Sequence, residues 1–105
     1  MTNMKNLDRL KDLSDFNKST TSAFWTYDQR ALADGAIPKK YKELMAIAVA
    51  LTTQCTYCIE IHRQAAIDAG ATKEELAEAI HVAAALRAGA AITHGTHVLG
   101  EPIES

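Results

Sequence analysis

An all-α fold of five or six short helices, packed as a single domain, is what this 105-residue sequence predicts. No segment alternates strictly between apolar and polar residues, so no strand is signalled. Alanine fills 19 positions while glycine and proline together fill seven. Alanine combines the highest helix propensity with a side chain small enough for helices to approach closely. Helix start and stop residues then recur at short intervals along the chain.

The first helix is expected over residues 4–12, with Met4, Leu7 and Leu10 on one side. The second runs over residues 15–34, capped by Ser14 and stopped by Asp34-Gly35. Phe16, Thr20, Ala23, Phe24, Tyr27 and Ala31 share one stripe of it and read as core rather than as a ligand box. Pro38 opens the third helix, where its missing N–H costs nothing, and that helix reaches residue 52. Every residue over 44–51 is apolar, so this helix has no polar face there and must be surrounded by protein. Lys39, Lys40 and Lys42 read as its solvated start. Thr52-Thr53-Gln54 breaks it, and the fourth helix starts near Cys55 and ends before Gly70. Thr72-Lys73-Glu74-Glu75 is a Thr-x-x-Glu capping box that opens the fifth, which is expected to end near Arg87 with Gly89 as a left-handed exit. A last helix over residues 90–99 contains Gly95, and residues 100–105 read as a loose tail. More apolar surface results than so small a chain can hide, which implies that further copies of the chain cover the rest.

Composition narrows the function. Apolar residues at 48% and charged residues at 23% describe a globular chain rather than a disordered one. A net charge of −2 carries no basic footprint, so nucleic acid is not an expected partner. The longest unbroken apolar run has eight residues, well short of the ~20 that span a bilayer, and the N-terminus carries no secretory pattern. A cytoplasmic protein without membrane partners is the expectation. Cys55 and Cys58 are too close in sequence to staple distant segments; Cys-x-x-Cys in such a chain points to redox chemistry or metal binding.

At 3.6 residues per turn, Cys55, Cys58 and His62 return to one helix face, which continues through the apolar Ile59, Ala65, Ala66 and Ala69. Arg63, Gln64 and Asp68 take the opposite side. The cysteines fall at the helix start, where unsatisfied N–H groups and the macrodipole favour a thiolate. His62, one turn beyond Cys58, can accept a proton or pair with that thiolate. Glu43 shares a stripe with Ala46, Ile47 and Ala50; it is either a buried proton carrier or an exposed residue at a helix start. Cys, Cys, His and Glu are also possible zinc ligands, but Cys55 and His62 lie about 10 Å apart along one rigid helix, too far for easy tetrahedral closure. Two inert core cysteines are a third reading. His81 reads as a packed or interface residue, and His94 and His97 as surface or subunit-contact residues.

The stretch Lys42-Glu43-Leu44 … Cys55-Thr56-Tyr57-Cys58-Ile59-Glu60-Ile61-His62 resembles the alkylhydroperoxidase D-like core of the carboxymuconolactone decarboxylase superfamily. The shared pattern is a Glu, eleven residues, Cys-x-x-Cys, three residues and His, and Ala69-Gly70-Ala71-Thr72-Lys73-Glu74-Glu75 is similar to the family's helix-to-helix turn. The resemblance covers about residues 20–98. It implies a thiol-dependent peroxidase in a helical homo-oligomer, often trimeric or hexameric, that needs no cofactor. In the same terms, Cys58 attacks the peroxide, Cys55 donates a proton and then resolves the sulfenic acid, and Glu43 and His62 form a proton relay. An external dithiol, from a dihydrolipoyl or thioredoxin-like protein, resets the pair. The chain departs from alkylhydroperoxidase D at Tyr57, where that protein carries His; a phenol is the poorer proton carrier near neutrality. The decarboxylase branch generally lacks the cysteine pair. The other readings are a metal-binding or thiol-sensing oligomer and a lactone decarboxylase-like enzyme.

Overall fold

The helices that position the cysteines are fixed by their own end signals. The computed structural model describes residues 2–102. Helix α3 (Lys39–Thr53) follows Pro38, which is extended and provides no side-chain cap. Asp34 fills that role from the preceding loop, its Oδ1 accepting the Lys39 N–H at 2.6 Å. The helix ends at Gln54, whose left-handed backbone (φ 58°, ψ 36°) reverses the chain. Cys55 then caps α4 (Thr56–Asp68) directly, so α3 and α4 form a helical hairpin with a very short link. Gly70 exits α4 at φ 97°, a conformation that disfavours any side chain. The predicted capping box is present at the start of α5 (Lys73–His94): Thr72 Oγ1 accepts the Glu75 N–H at 3.1 Å, and Glu75 Oε1 accepts the Thr72 N–H at 2.9 Å.

Helix α3 is the centre of the fold, with α4 and α5 packed on it. Among the described residues, the buried apolar ones are Ile47 and Ala50 from α3, Ala66 from α4 and Ala83 from α5. Small residues at those crossings let the backbones come close, as the alanine content anticipates. Ahead of them lie a 3₁₀ segment (Met4–Arg9), α1 (Leu10–Phe16) and α2 (Lys18–Leu32). Of these, α2 touches α3. A short α6 (Thr96–Leu99) closes the described chain.

Several expectations are corrected. The N-terminal region breaks at Asn17 rather than near residue 12, which places Ser14 inside α1 and not at a cap. Gly89 does not end α5; a lone glycine costs about 1 kcal/mol against alanine, too little to stop a helix flanked by Ala88, Ala90 and Ala91. The turn comes at Gly95 instead, and residues 103–105 of the expected tail lie outside the described residues. The expected aromatic stripe is split between α1 and α2 and is not core within one chain: Phe16 of α1 and Phe24 and Tyr27 of α2 are 84%, 55% and 72% exposed. The all-apolar run of α3 is likewise only half covered, with Met45 and Val49 exposed. The lysine cluster is not a free solvated face, because Lys39 and Lys40 pair with Glu43 and Glu75 and Lys42 donates to the Ala33 carbonyl.

These exposures share a cause. The radius of gyration is 18.4 Å, against ~13 Å for a compact chain of this size, and the extents are 62 × 37 × 32 Å. Ile80, Val82, Leu86 and Ile92 of α5 are all exposed. By length and composition alone, Lys73–Leu99 is long and apolar enough to cross a membrane, although the sequence lacks an unbroken run of that length. Arg87 within it donates to the Thr52 carbonyl at the end of α3.

Candidate active site

Glu43 falls one turn into α3, on the stripe that continues through Ile47 and Ala50. That stripe is the one α3 buries, so the carboxylate is only 2% exposed. A carboxylate so placed needs partners, and it has two. His62 Nδ1 lies 2.7 Å from Oε1, and Lys39 Nζ lies 3.0 Å from Oε2. The hairpin makes the first contact, because folding α4 back along α3 carries residue 62 past residue 43. Helical i, i+4 spacing makes the second. Lys39 Nζ also reaches the Leu32 carbonyl at the end of α2, at 3.4 Å. The buried reading of Glu43 is therefore the one observed.

The expected face of α4 is also observed. Cys55, Cys58, Ile59, His62, Ala65 and Ala69 are half-buried and Ala66 is fully buried, while Arg63, Gln64 and Asp68 are exposed. Both cysteines are free thiols. Cys55 sits at the N-cap, and its Sγ accepts the Cys58 N–H at 3.3 Å. Side-chain hydrogen bonding with Cys58, followed by the backbone N–H groups of Cys58 and Tyr57, holds the Cys55 thiol below its usual range. Cys58 moves the other way, pushed up to about 11 by that same bond to Cys55, by burial, and by the charges of Cys55 and Asp28. The helix start thus favours a thiolate at Cys55 and not at both cysteines.

Cys58 and His62 open together onto a cleft of ≈ 300 Å³, walled by Asp28 and Leu32 of α2 and by Ala50 and Thr53 of α3. A neighbouring cleft of ≈ 440 Å³ contains Asp28, Lys39, Glu43 and His62. His62 therefore borders both the cleft that holds the buried carboxylate and the one that Cys58 lines. Tyr57 takes no part in that space; its hydroxyl accepts from Asn6 Nδ2 at 3.1 Å, and the adjacent Thr56 hydroxyl pairs with that of Thr2. Among the described residues, no group of three or more His, Cys, Asp or Glu is arranged to hold a metal.

Two residues were missed by sequence reasoning. Lys39 carried a usable signal, its i, i+4 spacing from Glu43. Asp28 carried a weaker one: it lies four residues after Phe24, a charge set beside an apolar stripe. Of the remaining histidines, His81 is exposed and is not a packed core residue. His94 and His97 are exposed as expected, with ring centroids 6.0 Å apart.

Comparison with known proteins identifies the family. Residues 19–101 match the carboxymuconolactone decarboxylase family. A Paracoccus denitrificans protein described as uncharacterized protein 4 in the cox locus is 46% identical over 90 residues, spanning 86% of this chain and 81% of that one. An uncharacterized protein of Cupriavidus necator is 38% identical over 61 residues, 58% of this chain and 54% of that one. Among solved structures, an apo carboxymuconolactone decarboxylase family protein from Legionella pneumophila superposes with a TM-score of 0.72 at 35% identity, covering 76% of this chain and 71% of that one. A Methanobacterium thermoautotrophicum protein gives 0.74 at 28% identity, covering 80% and 94%. Matched over most of its length and in both sequence and fold, the chain belongs to the carboxymuconolactone decarboxylase family.

Proposed function

We propose that the protein is a thiol-dependent peroxidase that cycles Cys55 and Cys58 between dithiol and disulfide. The observation that carries this reading is the convergence of a buried Glu43–His62 pair with a Cys-x-x-Cys whose two thiols differ in acidity and whose second cysteine, Cys58, shares one cleft with the imidazole.

The roles follow from those positions. Cys58 faces the cleft and attacks the peroxide. Its own acidity is low, so it needs a base, and the Cys55 thiolate that already accepts its hydrogen bond takes the proton. Cys58 sulfur bonds to the terminal peroxide oxygen as the O–O bond breaks, which gives a sulfenic acid and an alkoxide. The alkoxide takes the proton held by Cys55, with the Glu43–His62 pair available to relay it. Cys55 thiolate then displaces hydroxide from the sulfenic acid, and hydroxide with one further proton leaves as water. One dithiol and one hydroperoxide become one disulfide, one alcohol and one water. An external dithiol, of the dihydrolipoyl or thioredoxin kind, exchanges with the disulfide and restores the pair. A pair that must be re-reduced in every cycle suits a reducing compartment, the cytoplasm.

The working unit in this proposal is a homo-oligomer, a trimer or hexamer. Exposed apolar side chains along α5 and α2, together with a small core built on Ile47, Ala50, Ala66 and Ala83, support it. The same cover accounts for the apolar α5 without a bilayer.

Free thiols counted before and after one equivalent of hydroperoxide test the function. Loss of both thiols, abolished by Cys58→Ser, is expected. Unchanged thiols overturn the reading, and a lactone-decarboxylating activity that survives replacement of both cysteines points to the other branch of the family.

A further inference from the structure

Lys39 supplies the charge that Glu43 needs. The carboxylate is 2% exposed, and the ammonium 3.0 Å away is 44% exposed. His62, at 2.7 Å, is the other partner. With a lysine cation, a carboxylate anion and a neutral imidazole, the three groups sum to zero charge. We propose that Lys39 is a positioning residue of this site: by balancing the Glu43 charge it leaves His62 neutral, with the proton on Nδ1 shared with Glu43 and a bare Nε2 for the cleft it shares with Cys58. An acceptor on one ring nitrogen fixes which nitrogen carries the proton.

The consequence of removing Lys39 follows from the same sum. A buried carboxylate beside a neutral imidazole carries one uncompensated negative charge, and such charge is costly away from water. Uptake of a proton by the Glu43–His62 pair relieves it, which converts His62 to imidazolium and removes its free nitrogen as an acceptor. Lys39 therefore keeps His62 able to move protons at neutral pH. The other groups that share the cleft with His62 do not replace it: Asp28 from α2 is an anion, and Cys58 on its own helix is a thiol. Lys40 is engaged by Glu75 of α5 at 2.9 Å.

The catalytic consequence rests on the peroxidase reading; the protonation state of His62 does not. Two measurements separate them. In ¹⁵N NMR of the full-length protein near neutral pH, His62 should carry its proton on Nδ1 alone. Lys39→Met should show both nitrogens protonated at the same pH, Lys39→Gln should repeat that result, and Lys39→Arg should restore the wild-type spectrum. In parallel, the rate of thiol loss to hydrogen peroxide should fall about tenfold at pH 7 in Lys39→Met, with the acid limb of its pH profile moved to higher pH, and Lys39→Arg should recover it. A proton on Nε2 in the wild type, or His62 spectra unchanged by Lys39→Met or Lys39→Gln, overturns the proposal. Wild-type thiols that ignore peroxide remove the peroxidase reading and leave the NMR result to decide the role of Lys39.

Discussion

Replacing Glu43 with methionine separates what this carboxylate does for function from what it does for folding. Methionine is unbranched and close to glutamate in length, so Glu43→Met fills the same space between α3 and α4. Three terms set its cost. His62 loses the partner 2.7 Å from Nδ1, and a hydrogen bond to a charged group contributes about 1.5–3 kcal/mol. Lys39 loses an ion pair, but at 44% exposure its ammonium turns into water, so that loss is about 0.5 kcal/mol or less. Against these, a side chain that is 2% exposed no longer buries a charge, and its apolar burial contributes about 1.5–3 kcal/mol. The balance falls within about 2 kcal/mol of zero, on either side. Activity has no such compensation. Loss of the group that holds His62 should slow thiol oxidation by about 10²-fold or more. Urea unfolding at fixed protomer concentration reads the first quantity and peroxide-dependent thiol loss the second. A destabilisation above about 3 kcal/mol would show the pair to be a structural support, and a wild-type rate would show that the carboxylate takes no part in the chemistry.

Other outcomes follow from the same structure. As pH rises, Cys55 should ionise first, below the ordinary thiol value, while Cys58 stays protonated until near pH 11; substoichiometric iodoacetamide mapped by mass spectrometry should therefore label Cys55 first. Preferential labelling of Cys58 reverses that order. Cys58→Ala removes the thiol hydrogen bond to Cys55 and should move the midpoint of Cys55 alkylation to higher pH. Gly89→Ala meets nothing within 4 Å inside α5 and should stabilise the protein by about 0.5–1 kcal/mol in urea unfolding. Leu86→Glu places a charge on a face whose leucine is 65% exposed in one chain; smaller assemblies by analytical ultracentrifugation are expected, and an unchanged mass would place the interface elsewhere.

The sequence and the structure agree best where a signal is local. The capping box at Thr72 and Glu75, the break before Cys55 and the shared face of Cys55, Cys58 and His62 all depend on spacing within one or two turns, and all are observed. Glu43 was ambiguous because its neighbour in space, His62, comes from another helix. Only the hairpin turn at Gln54 brings them together. The opposite shifts of the two thiols were illegible for a related reason: the burial of Cys58 beside Asp28 depends on where α2 lies. Phe16, Phe24 and Tyr27 show a different limit. Periodicity identifies a face that avoids water but not whether the same chain covers it.

The central claim is that two neighbouring sulfurs form a bridge when a peroxide arrives. Intact-mass measurement of the reduced protein after one equivalent of hydroperoxide tests it most directly. A mass lower by two hydrogen atoms, restored by a dithiol and assigned to a Cys55–Cys58 disulfide by peptide mapping, is the expected result. A mass that is unchanged, or that gains oxygen without loss of hydrogen, contradicts the account.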